Sequence, residues 1–128
     1  MRLLGDRAAI RFSKPITLPN DSEPEPDIAI VQRLGREYLN HHPFPENIFW
    51  LIEYSNSSLD KDLETKSKLY AQANVLEYWV VNLKTRQLIV MRDPQEGYYT
   101  VESTISGGTI CPLAFSEIFV SVSSIISI

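Results

Sequence analysis

With a single cysteine, Cys111, among 128 residues, the chain cannot form an internal disulfide. The thiol has no catalytic neighbour in sequence and reads as a small apolar filler. Apolar runs are short as well. None approaches the roughly 20 residues that span a bilayer, and Gly5-Asp6-Arg7 cuts off Met1-Arg2-Leu3-Leu4 too early for a signal peptide. A cytoplasmic protein without membrane contact is expected. Positive charge is scarce, because 12 Lys and Arg against 16 Asp and Glu leave a net −4. No global field therefore attracts nucleic acid, and any such contact must come from a local patch or through a metal. The two histidines, His41 and His42, are adjacent, point apart and have no Cys or third His nearby, which argues against zinc and leaves them as loop surface. A Gly-rich phosphate loop, a Ser-His-Asp or Cys-His arrangement and internal repeats are all missing.

What remains is an ordinary globular composition, 44% hydrophobic and 22% charged, which excludes disorder and fibrous proteins. The length suits one domain over residues 1–128 with a real core. Extended segments are predicted at 8–12, 15–18 and 27–31, the last opened by Asp27 after two prolines. A polar connection follows at 33–45, with a helical turn near 36–40. Beyond a central strand and helix, 78–83 and 87–92 form a hairpin, 93–97 a turn, and 98–103 and 109–111 two short strands. In the tail, Leu113, Phe115, Ile118 and Phe119 share one side.

The chain is organised around residues 47–70. Ile48 to Ser55 alternate side chains, and both faces are apolar up to Glu53. This is how a central strand covered on both sides reads, and it sets a carboxylate near the strand's end, where α/β proteins build sites. Asn56-Ser57-Ser58 supplies turn and cap chemistry, and Asp60, Asp62 and Glu64 suit the first turns of a helix from about 59 to 73. Its inward stripe of Leu59, Leu63, Lys66, Tyr70 and Ala73 places a lysine mid-stripe. Asn74, next in the chain, suits a left-handed helix terminator. Two readings of Lys66 stay open: it snorkels to water or pairs with Asp62 one turn before, or it is held inward toward a ligand. On the second reading, Lys66→Met removes a costly buried charge and stability holds or rises. Asp27 likewise reads either as a turn aspartate or as a site carboxylate.

Pro26-Asp27, Ile52-Glu53-Tyr54-Ser55, Asp62 with Lys66 and Tyr70-Ala71, and Glu77-Tyr78-Trp79-Val80-Val81 together resemble the Uma-type (Uma-two) family of the PD-(D/E)XK nuclease superfamily. Its members are usually described as "putative restriction endonucleases". The resemblance spans about 7–119. It implies an α/β (α+β) fold with a mixed sheet and a restriction-endonuclease-like core, short of the family's usual leading helix and strand. It also implies a metal-dependent endonuclease acting on DNA, with Asp27, Glu53 and Lys66 catalytic. Asp27, Glu53 and the carbonyl of Tyr54 would hold Mg²⁺ or Mn²⁺, supported by Asp62 and by Ser55, which stands where the superfamily motif has lysine.

The residue types suit that chemistry, since hard oxygen ligands favour Mg²⁺ and an ammonium can orient water or stabilise charge. A homodimer is expected, pairing two sites for two strands. The alternative is a catalytically silent nuclease-fold module that binds nucleic acid or protein.

Overall fold

In a computed structural model of the chain, residues 2–56 and 59–127 are described, with their side chains except at 2, 3 and 59–62. Six strands form one sheet, in spatial order as in sequence: β1 (Ala9–Phe12), β2 (Ile28–Val31), β3 (Ile48–Ser55), β4 (Glu77–Asn82), β5 (Gln87–Gln95) and β6 (Tyr98–Ile105). All neighbours are antiparallel except β3 and β4, which run parallel. A parallel pair needs a crossover, and α1 (Leu59–Gln72) supplies it. The fold is therefore the expected mixed α/β arrangement. A two-stranded ribbon of β7 (Thr109–Ile110) and β8 (Val120–Ser121) leads to the short helix α2 (Val122–Ile126).

Both faces of the sheet are covered, which is why β2, β3 and β4 are apolar on both sides. On one face Ile30, Trp50, Ile52, Trp79 and Val90 pack under the tail residues Phe115, Ile118, Val122 and Ile125. On the other, Ala29, Leu51, Tyr78 and Val80 pack under Tyr70 of α1 and Ala73 just past its end, and under Ile16 and Leu18. The helix begins at Leu59 and ends one residue short of the expected end, and Asn74 adopts φ 63°, the left-handed terminator its side chain tolerates. The expected cap residues Ser57 and Ser58, and the side chains of Leu59, Asp60 and Asp62, lie outside the described residues.

Three expectations are corrected. Residues 15–18 form no strand, because Pro15 and Pro19 bracket them; Ile16 and Leu18 instead plug the core, with the Ile16 and Thr17 N–H groups donating to the Pro24 and Pro43 carbonyls. The turn expected at 93–97 shrinks, since β5 continues to Gln95 and Pro94 pairs with Tyr99. Pairing with β4 ends at Arg92, so Pro94 has an unpaired side, where a proline is tolerated. In the tail, Leu113 and Phe119 face solvent while Phe115 and Ile118 are buried, because the segment is a 3-10 turn and a ribbon rather than one helical face.

Candidate active site

Ile28 pairs with Ile52, so the antiparallel register carried one step further sets Asp27 opposite Glu53 on the α1 face of the sheet. The local chain fixes Asp27 twice. Its carbonyl accepts the Ser13 N–H at 3.0 Å, extending the β1–β2 ladder, and its carboxylate Oδ2 accepts the Tyr54 N–H at 2.8 Å. Asp27 is thus both a structural aspartate that caps a strand end and a carboxylate beside Glu53. Its Oδ1 accepts nothing from the described residues.

Glu53 is buried, 6% exposed, where an unpaired carboxylate would cost several kcal/mol. Three donors offset that cost. The Tyr78 hydroxyl donates to Oε2 at 2.7 Å, the Tyr70 hydroxyl to Oε1 at 3.1 Å, and the Lys66 Nζ lies 3.1 Å from Oε2. The two phenol rings meet edge to face at 5.0 Å. Burial, then the Glu53 charge, push both phenols well above the ordinary tyrosine pKa of 10, so they remain donors across the neutral range. The charge of Asp27 also acts on Tyr70 and on Tyr54, a smaller contribution than burial in each case.

Lys66 reaches Glu53 from the rim, with 43% of its side chain exposed. It is therefore neither deeply buried nor a free snorkelling lysine. The stripe count assigned the right side of the helix and overstated the depth, because a long side chain can bury its stem and keep its tip wet. Lys68 turns the other way, 3.5 Å from Glu64 and over the Tyr98 ring. The expected Asp62 contact lies outside the described residues. Ser55 is buried two residues beyond Glu53 on the same face, its hydroxyl unpartnered.

Among the described residues no three His, Cys, Asp or Glu side chains gather as a metal-holding group. Mg²⁺ does not require three. It commonly keeps several waters and binds through one or two carboxylates plus substrate phosphate. The open Oδ1 of Asp27 and the second lone pair of Glu53 Oε1 fit that donor chemistry.

Sequence reasoning missed three features. Tyr70 and Tyr78 were read only as core; the signal was their hydroxyls, which seek partners when buried. Glu77 is a second fully buried carboxylate, on the opposite face. It accepts from Trp79 Nε1 at 2.7 Å, Arg92 Nε at 2.7 Å and the Leu113 N–H at 2.8 Å, while Arg92 Nη2 donates to the Cys111 carbonyl at 2.6 Å. This pair clamps the tail onto β4 and β5. The histidines are not plain loop surface either. His41 stacks on Phe44 at 4.6 Å and bonds Glu37, and the His42 carbonyl together with that Glu37 contact raises its pKa.

A mixed sheet with a crossover helix after its central strand, which sets two carboxylates opposite one another beneath that helix, defines the class as a mixed α/β fold. The chain is similar to a crystal structure from Anabaena variabilis ATCC 29413 described as a "putative nuclease belonging to DUF820", with a TM-score of 0.70 and 19% identity over 95% of this chain and 69% of that one. That likeness shows the fold. Residues 2–123 match the Uma2 family model, described as "Putative restriction endonuclease", and the chain belongs to that family. No curated protein matches.

Proposed function

We propose that the chain is a metal-dependent endonuclease that hydrolyses DNA phosphodiester bonds, with two copies pairing so that each strand meets one site. The observation that supports this most is a buried Glu53 set opposite Asp27 with the Lys66 ammonium 3.1 Å away. Asp27, Glu53 and the Tyr54 carbonyl would hold Mg²⁺ or Mn²⁺, which supplies an activated water and neutralises growing phosphate charge. The chain's own groups do the rest. Tyr70 and Tyr78 hold the Glu53 carboxylate in one orientation, the Tyr54 N–H holds Asp27, and half-exposed Lys66 meets an incoming phosphate from the rim. Plasmid nicking should require Mg²⁺ or Mn²⁺ and disappear in Asp27→Ala, and calorimetry should show Mn²⁺ binding by wild type and not by that variant. Equal Mn²⁺ binding by both proteins would remove the site.

One observation favours the silent-module alternative: Glu53 is already satisfied by two hydroxyls and the Lys66 ammonium and needs no metal ion. Retained DNA or protein binding with neither Mn²⁺ binding nor nicking would select it.

A further inference from the structure

A concavity lies along β1, on the sheet face that carries the carboxylates. Arg11 pairs with Ala29, which pairs with Leu51, and the Asp27–Glu53 level is two residues further on. Ser13, whose N–H bonds the Asp27 carbonyl, immediately precedes Lys14. The groove measures ≈ 520 Å³, and its walls include Arg11, Lys14, Arg33, Tyr38 and His42.

These walls are basic in a chain of net charge −4. Lys14 is exposed, with no acidic partner among the described residues. Arg11 lays its guanidinium over the Tyr38 ring at 5.1 Å, and its Nε is buried without a hydrogen-bond partner. His42 Nδ1 is buried and unpartnered too. Two acids reach these groups. Asp6 bonds Arg33 at 2.9 Å from a fully exposed position, and Glu23 lies 3.6 Å from His42 Nε2. Buried nitrogens without partners are rare and costly in folded proteins, so Arg11 and His42 are side chains that gain a bond if they turn toward oxygen atoms of a ligand in the groove.

The spread of the cations selects the ligand. Arg11 lies in β1 and Lys14 two residues past its end at Phe12, so the chain between them spans up to roughly 10 Å at about 3.3 Å per residue, wider than one small anion. Duplex DNA presents one charge per ~1.7 Å of axis, so several phosphates fall within that length. We propose that the groove of Arg11, Lys14 and Arg33 holds the phosphate backbone of DNA beside the carboxylate pair. This rests on the nuclease reading for its ligand and not on catalysis.

The test is binding without metal: fluorescence anisotropy of a labelled duplex of about 20 base pairs in EDTA, at about 50–200 mM KCl, a range that exposes phosphate contacts. The triple variant Arg11→Gln/Lys14→Gln/Arg33→Gln should bind at least tenfold more weakly at low salt and lose ~0.9 of the log–log salt slope for each phosphate contact removed. Lys14→Glu, a single exposed change, guards against misfolding of the triple variant and should weaken binding several-fold at an unchanged melting temperature. Lys68→Gln, beside β6 at the opposite sheet edge, should bind as wild type does. Wild-type affinity and slope in the triple variant and in Lys14→Glu would overturn the proposal, as would a wild type with no affinity for DNA. Groove-dependent binding by a protein that never nicks plasmid would uphold the groove and end the catalytic reading; nicking that persists unchanged in both groove variants would do the reverse.

Discussion

Replacing Lys66 by methionine keeps the stem and removes the ammonium, so the outcome depends on which charge is buried. Glu53 is the buried partner at 8% side-chain exposure, and Lys66 is the wet one at 43%. Removing one member of a fully buried pair costs about 3–5 kcal/mol because the other is left uncompensated, whereas exposed pairs are worth about 0–1. Two features reduce the larger figure here. Lys66 is well screened by solvent, and the Tyr70 and Tyr78 hydroxyls still bond the carboxylate at 3.1 and 2.7 Å. A destabilisation of about 1–2 kcal/mol follows, equivalent to roughly 3–8 °C in a domain of this size. This reverses what the inward-held reading of Lys66 predicts, that stability holds or rises. Urea unfolding of wild type, Lys66→Met and Lys68→Met provides the assay, with Lys68→Met within about 0.5 kcal/mol of wild type. In a Glu53→Gln background the cost of Lys66→Met should shrink, because an amide needs no cation. Lys66→Met at or above wild-type stability would refute the reasoning.

Alkaline pH tests the phenol pair. Folded pKa values raised above 10 mean that the native state holds those protons more tightly than the unfolded chain, so the contribution is complete below about pH 10 and is lost above it, by up to ~1.4 kcal/mol per pH unit per phenol. Urea unfolding at about pH 9 and pH 11, on either side of the ordinary phenol pKa, should show a shallower decline for Tyr78→Phe than for wild type, and identical declines would count against the Glu53–tyrosine cluster. On the other face, Arg92→Met leaves Glu77, 0% exposed, without its cation. A loss of about 2–4 kcal/mol is expected, together with faster thiol labelling of Cys111, whose carbonyl Arg92 holds; a change below about 0.5 kcal/mol would show that the clamp contributes little.

Periodicity located β3, the crossover helix and the hairpin of β4 and β5 as far as Arg92, because each signal lies within a dozen or so consecutive residues and neither Gly nor Pro interrupts 48–55, 59–72 or 77–92. The same local logic singled out Glu53 and Lys66, two charges where apolar residues were due. Whether Asp27 would meet them was not a local question. It depends on β2 pairing antiparallel to β3 in one register, and a slip of one residue would have turned Asp27 to the tail face. Tyr70 and Tyr78 likewise read as core from their positions, and only the packing of α1 over β4 brings both hydroxyls onto one carboxylate. The basic groove needed residues 11, 14, 33 and 42 to converge across a loop that no pattern predicts. Sequence therefore determined the elements and the misplaced charges, since these follow from neighbours in the chain. Tertiary structure alone decided which charge is buried, which is solvated and what satisfies each, because those depend on strand register and on side chains far apart in sequence.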